Sequence, residues 1–239
     1  LAGDELLLDA FEKGLDAHAW NFATMASSDP AEQRAWYADA VARGLKNDAK
    51  IKHCRNIAKR FVYLILYGGE EELLFQTMAS ERTPDGARAF PGLTEKTVHD
   101  WFENWHRVHP WTRAWQEGVV QKWYKRGAGN GGWIETELHH RKRFFLGGLD
   151  RNAMCNLEIQ GTAGDMMNEA AIELWKRIPP RSWSAVTGMR LQVHDYLGVV
   201  VPEDRAREAA AILKSVMERR LGRVSFPVEM KISKSWAKQ

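Results

Sequence analysis

The chain has 239 residues, a formal net charge of +3 at pH 7 and a hydrophobic fraction of 44%, which is ordinary for a globular protein that buries a sizeable core. No run of about 18 apolar residues predicts a membrane-spanning helix, and the first residues lack the basic start and apolar stretch of a signal peptide. Cys54 and Cys155 have no metal-ligand spacing. Two such sparse cysteines are typical of packing residues in a reducing interior.

Helices dominate the predicted secondary structure. Their bounds follow from apolar residues at helical spacing and from Gly or Pro at the ends. A loop is predicted over 127–132. In chain order the predicted helices span residues 5–28, 31–43, 48–67, 70–80, 94–124 with a break before Pro110, 151–177 and 202–221.

The predicted strands are short and lie in the second half of the chain. A hairpin is expected over about 133–146, and two strands at 189–193 and 197–201 flank His194-Asp195. A closing strand is expected over 224–232, and the chain up to Trp236 is assigned to the same closing segment. Helices followed by a small antiparallel sheet predict an α+β fold. We expect two portions, a mainly helical one over 1–150 and a second one over 151–239.

A local basic surface is predicted between Lys122 and Arg151, where aromatic residues are interleaved with cations. This composition suits a polyanion; the alternative is a solvated charged face beside a core cluster. The segment contains three acidic residues, Glu135, Glu137 and Asp150. Its cations are Lys122, Lys125, Arg126, Arg141, Lys142, Arg143 and Arg151.

One predicted helix has an unusual stripe, in which Arg55, Lys59, Tyr63 and Tyr67 are spaced by four residues. Side chains at this spacing share a face, about 6 Å apart along the axis. Two cations can bind a polyphosphate, and two rings further along can pack on a sugar or a base. The alternative is a surface Arg/Lys pair with two tyrosines at the core boundary.

The stripe, followed by Gly68, resembles motif B of the family A DNA polymerases, RxxxKxxx(F/Y)xxxYG. The resemblance implies a helical fingers subdomain in which Arg55 and Lys59 hold the incoming triphosphate, with Lys59 also catalytic. Tyr63 would pack against the deoxyribose, and Tyr67 with Gly68 would lie at the template. Tyr rather than Phe at position 63 is the phage-type choice, and it implies relaxed discrimination against nucleotides that lack a 3′-hydroxyl.

Two flanking segments extend the resemblance. Residues 7–18 are similar to the family segment LLxAFxxGxDIH, which places His18 near the phosphates; a structural histidine is the alternative. Residues 156–165 resemble NxxxQGTAAD, which implies that Asn156 and Gln160 reach minor-groove acceptors of the primer–template. The family's usual Arg, four residues before the Asn, is Asn152 here and is preceded by Arg151, which we assign to the same primer–template contact.

The segment 191–195 resembles motif C on a palm hairpin, usually VHDE, with Tyr196 in place of the Glu. The resemblance implies that Asp195 is a Mg²⁺ ligand and that His194 packs near the primer end. Two-metal phosphoryl transfer needs carboxylates that bridge two cations. In the family the second essential Asp is in motif A, upstream of the match to residues 7–18, so we expect two Mg²⁺ ions shared with a carboxylate outside this chain.

These features predict the fingers and half of the palm of a DNA-directed DNA polymerase, which joins a dNTP to a primer 3′-hydroxyl. The expected partners are primer–template DNA, dNTPs and a second polypeptide with motif A, the thumb and possibly an exonuclease, without which the chain would be inactive. The expected location is the cytoplasm of a bacterial cell or a phage-infected host, with no membrane partner. The alternatives are a non-catalytic polymerase-derived nucleic-acid- or nucleotide-binding protein and an unrelated helical RNA-binding or adaptor protein.

Overall fold

The computed structural model describes residues 3–127 and 131–235, and its contacts divide the chain into two compact units. Unit 1 runs to Ile134 and includes Arg143–Asn156. Unit 2 consists of Glu135–Lys142 and the chain from Leu157 onward. The boundary predicted from the sequence lies instead between residues 150 and 151. The assignment of the two portions to fingers and palm stays a prediction.

Unit 1 is helical. The predicted segments at 31–43, 48–67 and 70–80 are confirmed to within a residue or so, and the break before Pro110 separates two helices. The helices of the described part of unit 1 are α1 Glu5–Glu12, α2 Ala17–Ala26, α3 Pro30–Arg43, α4 Ala49–Leu66, α5 Glu71–Ser80, α6 Glu95–Val108, α7 Pro110–Lys125 and α8 Arg151–Asn156.

Aspartates fix where the first four helices begin. Each of these helices has an aspartate at its N-cap that accepts a backbone N–H of the following turn, which satisfies a donor that the helix itself leaves unpaired. These residues are Asp4, Asp16, Asp29 and Asp48. The predicted single helix over 5–28 is wrong. Gly14 has a φ of +64°, a left-handed conformation that ends α1, and Asp16 starts α2 two residues later.

The core of unit 1 forms around α4. Phe61 and Trp105 are fully buried, with ring centroids 6.5 Å apart at a steep angle, and residues of α2, α5 and α6 pack around them. One face of α4 is therefore fixed by apolar burial. The opposite face, which includes Lys59 and Tyr63, remains exposed.

A hairpin and a long helical segment connect the units. The predicted hairpin is confirmed, with shorter strands β1 Trp133–Glu135 and β2 Lys142–Phe144 that pair in a two-stranded sheet. The predicted helix over 151–177 is confirmed, but a π-helical turn, Leu157–Gly161, separates α8 from α9, Thr162–Arg177.

The rest of unit 2 is a helix with two hairpins. Strands β3 Gly188–Val193 and β4 Tyr196–Val200 pair antiparallel, and α10, Ala206–Met217, follows a 3₁₀ turn, Glu203–Arg205. Buried residues of α9, β4 and α10 form its core, and they include Leu174, Leu197 and Leu213. The predicted α+β class is confirmed.

Two predicted ends in unit 2 are wrong. The helix expected to reach residue 221 ends at Met217, because β5 Arg219–Leu221 pairs with β6 Val224–Phe226. Gly222, with a φ of +56°, makes the tight turn between them. The closing strand expected to reach 232 therefore ends at Phe226, and Trp236, assigned to the same closing segment, lies outside the described residues. In the described part of the chain, no helix is both long and apolar enough to cross a bilayer.

Candidate functional site

The exposed face of α4 carries the predicted stripe. The Nζ atom of Lys59 lies 6.0 Å from the centroid of the Tyr63 ring. The Tyr63 and Tyr67 rings are nearly parallel, at 8°, with centroids 6.2 Å apart. The side chain of Tyr63 is 43% exposed. A cation followed by two flat rings thus lies along one side of the helix, as the four-residue spacing predicts.

Arg55, the first member of the stripe, is held by a carboxylate. Its Nε and Nη2 atoms donate to Oδ1 and Oδ2 of Asp16 at 2.9 and 2.8 Å, and both side chains are mostly buried. This bidentate arrangement fixes the plane of the guanidinium. Burial opposes ionisation of Asp16, but the hydrogen bonds from Arg55 and from Ala19 outweigh it and lower the carboxyl pKa.

His18 contributes to the same surface from the first turn of α2. Its ring meets the Tyr63 ring edge-on, with centroids 6.4 Å apart. Burial lowers the His18 pKa, and the charges of Arg55 and Lys59 lower it further, against the opposite effect of Asp16. The imidazole is therefore neutral at pH 7, so it can hydrogen bond a phosphate oxygen through one N–H without adding charge.

Gly68 ends α4 directly after the stripe, in a left-handed conformation with a φ of +86°. A Cβ atom at this position would lie 2.9 Å from Oδ1 of Asn152 and 3.5 Å from Cγ of Arg151. Glycine is thus required twice, by the backbone conformation and by the close approach of α8.

Arg151 takes part in a network that supports the C-terminal end of α4. Its Nη1 atom lies 3.0 Å from Oε1 of Glu70, and its Nη2 atom donates to Oε1 of Gln116 at 3.3 Å. The amide of Gln116 in turn donates to the carbonyl of Ile65 at 2.5 Å. The structure thus gives Arg151 protein partners within unit 1, while its predicted contact with the primer–template stays a prediction.

The residues assigned to motif C lie at the turn of the β3–β4 hairpin. Val193 pairs with Tyr196, so His194 and Asp195 are the two turn residues, and both are exposed. His194 has a φ of +50°, an uncommon conformation for a residue with a side chain but one that tight hairpin turns require. The turn presents the Asp195 carboxylate to solvent.

A metal centre needs more ligands than this turn supplies. Carboxylate oxygen is what Mg²⁺ prefers, so Asp195 has suitable chemistry for one ligand. Within residues 3–127 and 131–235, however, no group of three or more His, Cys, Asp or Glu side chains is placed to hold a metal ion. The described residues therefore do not fit a two-ion centre by themselves.

Comparison with known proteins identifies the family. The model of DNA polymerase family A matches residues 1–238. The chain belongs to DNA polymerase family A.

Relatives of this family A chain include bacterial polymerases. It is 31% identical to the thermostable DNA polymerase I of Thermus filiformis and 25% identical to the DNA polymerase I of Lactococcus lactis, over 99% of this chain in both cases. It spans about a quarter of the length of these relatives, 25% and 24%. The predicted phage-type character of Tyr63 stays a prediction.

A solved structure shares the fold. It is described as the POL domain of Pol1 from M. smegmatis in complex with DNA primer–template and dNTP. The match has a TM-score of 0.69 at 21% identity and covers 94% of this chain and 35% of that one.

The predicted minor-groove residues of the family A chain lie at the π-helical turn. Asn156 is the last residue of α8, and Gln160 lies inside the π-helical turn. Oδ1 of Asn156 is buried and has no hydrogen-bond partner among the described residues, while Gln160 is exposed. A π-helical turn between them means that their spacing is not a regular α-helical one, and their role at DNA stays a prediction.

The sequence does not indicate which acidic residues form ion pairs with Arg55 and Arg141. In the sequence Asp16 belongs to the segment 7–18, and an Asp two residues after Gly14 is a signal for a helix start. Asp165 is fully buried, accepts the Thr136 hydroxyl at 2.5 Å and forms an ion pair with Arg141. These pairs join residues far apart in the chain, which no local pattern reveals.

Proposed function

We propose that this family A chain forms the nucleotide-binding part of a DNA-directed DNA polymerase, which transfers a nucleotide from a dNTP to a primer 3′-hydroxyl. The observation that carries the proposal is the α4 face. There Arg55 is fixed by Asp16, Lys59 is exposed beside Tyr63, and Tyr63 is parallel to Tyr67. Two cations that precede two flat rings match the order of phosphates, sugar and base in a nucleotide.

Each member of the stripe would have its own role. Arg55 and Lys59 hold the triphosphate, and the positive charge of Lys59 stabilises charge that develops on the leaving phosphates. Tyr63 packs against the deoxyribose, and Tyr67 with Gly68 borders the templating base. His18, which is neutral at pH 7, hydrogen bonds a phosphate oxygen.

Primer–template DNA is the proposed second substrate. The fold that the chain shares with a polymerase domain, described in complex with primer–template and dNTP, supports this assignment. Asn156, Gln160 and Arg151 would contact the duplex, the two amides by donating to minor-groove acceptors. His194 would pack near the primer end.

The metal centre would be completed from outside residues 1–239. Asp195 supplies one carboxylate, and the lack of a ligand cluster in the described residues supports the need for another. Mg²⁺ bound there would stabilise the charge of the reacting phosphate. We propose that a segment with motif A, outside residues 1–239, provides the missing carboxylate.

A primer-extension assay tests the proposal. The chain is assayed alone and together with a co-expressed segment that carries motif A and the thumb, and Asp195→Asn serves as the inactive control. Extension that needs both polypeptides and is lost in Asp195→Asn supports the proposal. Lack of extension in every combination, despite DNA and dNTP binding, supports the alternative of a non-catalytic polymerase-derived protein, which Tyr196 in place of the usual Glu favours.

A further inference from the structure

Asp16 connects three parts of unit 1. Its carboxylate accepts the Nε and Nη2 hydrogens of Arg55 and also the backbone N–H of Ala19, at 2.9 Å, which caps α2. Its own backbone N–H donates to the Tyr37 hydroxyl at 2.8 Å. Asp16 is therefore held by α2 and α3 while it holds a side chain of α4.

The ion pair engages only one edge of the guanidinium. Arginine has five N–H donors, and Asp16 faces the edge formed by Nε and Nη2. The Nη1 edge carries two further donors that the pair does not use. A guanidinium held on one edge by a fixed carboxylate loses little rotamer freedom when its other edge binds an anion.

The same residue sets the position of His18. Asp16 is the N-cap of α2, and His18 is in the first turn of that helix, where its ring meets Tyr63. The position of Asp16 thus affects both side chains that are proposed to bind the phosphates, Arg55 of α4 and His18 of α2.

We propose that Asp16 is a positioning residue for the triphosphate, which orients the Arg55 guanidinium and the first turn of α2 toward the same phosphates. The inference rests on the proposed function. The alternative is that Asp16 only neutralises the charge of Arg55. In that role it would weaken the attraction of the site for a polyanion. Loss of its charge would then strengthen nucleotide binding.

The substitution Asp16→Asn separates the two roles. Asn caps helices about as well as Asp, so the start of α2 is retained while the charged bidentate pair is lost. Asp48→Asn is a matched control, because Asp48 also caps a helix and also accepts the Nε and Nη2 hydrogens of an arginine, Arg43, both at its Oδ2. The dissociation constant of a dNTP with Mg²⁺ is measured by calorimetry on the full chain, and the melting temperature of each variant is recorded.

We expect Asp16→Asn to raise the dissociation constant about tenfold, because the released Arg55 side chain must then be ordered when the nucleotide binds, and Asp48→Asn to leave it within about twofold. In NMR spectra the Nε–H signal of Arg55 should be protected from exchange in the wild type and lost in Asp16→Asn. If Asp16→Asn does not fold, Asp16→Glu, which retains the charge but shifts the carboxylate, is titrated instead and should also bind more weakly.

An unchanged or lower dissociation constant in a folded Asp16 variant would overturn the inference and leave the nucleotide site intact. If the wild type itself binds dNTP no better than an Arg55→Ala/Lys59→Ala variant, the proposed function fails, and the inference fails with it. The two failures are thus distinguishable.

Discussion

Lys59 is the exposed cation of the α4 stripe, and its charge is available to a phosphate. We predict that Lys59→Ala weakens binding of a dNTP by about 10- to 100-fold, because a hydrogen bond to a charged group contributes about 1.5–3 kcal/mol. Calorimetric titration of the chain with dNTP and Mg²⁺ measures the effect. Arg60 is the control, because it follows Lys59 but lies about 100° around the helix and pairs with Glu81 at 2.7 Å. An equal loss in Arg60→Ala would show that only the overall charge matters.

Tyr63 is expected to control the choice between deoxy- and dideoxynucleotides. The family resemblance implies that Tyr at this position relaxes discrimination, and the ring is exposed on the face of α4 that is proposed to bind the nucleotide. We predict that Tyr63→Phe increases the preference for dNTP over ddNTP by up to about tenfold, the contribution of one hydrogen bond. Competitive primer extension by the assembled polymerase measures the ratio. A ratio that does not change would remove Tyr63 from the sugar site.

At the scale of elements, the end of α4 depends on Gly68. Ala at this position would have to adopt a φ of +86° and would place its Cβ 2.9 Å from Oδ1 of Asn152. We predict that Gly68→Ala destabilises the chain by about 2–3 kcal/mol, of which roughly 1–2 kcal/mol is the left-handed conformation. Urea unfolding measures the loss.

The double variant Gly68→Ala/Asn152→Gly separates the two contributions. Removal of the Asn152 side chain should recover the steric part, and the conformational part should remain. If the double variant is no more stable than the sum of the single changes, the contact with α8 is not what requires glycine.

Helix existence could be predicted at this scale, while several ends could not. The spacing of apolar residues and the pair Gly68-Gly69 predict the bounds of α4. The spacing is informative because Phe61 and Ile65, which recur at the helical period, are buried on one face. The sequence pattern does not indicate the break at Gly14 or the early end of α10 at Met217. The first needs a left-handed glycine to be distinguished from a helical one, and the second depends on pairing of β5 with β6.

At the scale of the whole molecule, the two units contain different acid-sensitive groups. Burial lowers the pKa of His106 in unit 1 to about 4, helped by the charges of Arg113 and Arg151. Asp165 in unit 2 also has a lowered pKa. Its burial opposes ionisation, but hydrogen bonds from Thr136 and Arg141 outweigh that effect.

The signs of these shifts predict acid unfolding in two stages. The unfolded chain protonates His106 near pH 6.5 and the folded one near pH 4, so unit 1 loses about 3 kcal/mol as the pH falls through this window. The contribution of Asp165 is complete above the unfolded pKa of about 3.9 and is lost only as the pH falls through its lower folded value. Unit 2 should therefore remain folded to a lower pH than unit 1.

Peptide-resolved hydrogen exchange, corrected for the intrinsic effect of pH, measures the two stages. Peptides of α4 and α6 should lose protection between pH 6.5 and 4, and those of α9 should keep it. His106→Leu should remove most of the change in unit 1. Simultaneous loss of protection in both units would contradict the prediction.

The candidate site was only half predictable from sequence. A four-residue spacing places Lys59, Tyr63 and Tyr67 on one face without any tertiary information. The partners are non-local, because Arg55 is 39 residues from Asp16 and Arg151 is 81 residues from Glu70. Such pairs are set by how helices pack, and a single sequence has no local signal for them.

Chemical modification with and without nucleotide tests the central claim most directly, that the exposed face of α4 binds a triphosphate. Lysines and arginines of the chain are labelled in the absence and presence of dNTP with Mg²⁺, and the sites are mapped by mass spectrometry. We predict that nucleotide protects Lys59 and Arg55 and leaves Arg60 and the exposed Lys96 unchanged. Equal labelling of Lys59 with and without saturating nucleotide would contradict the account.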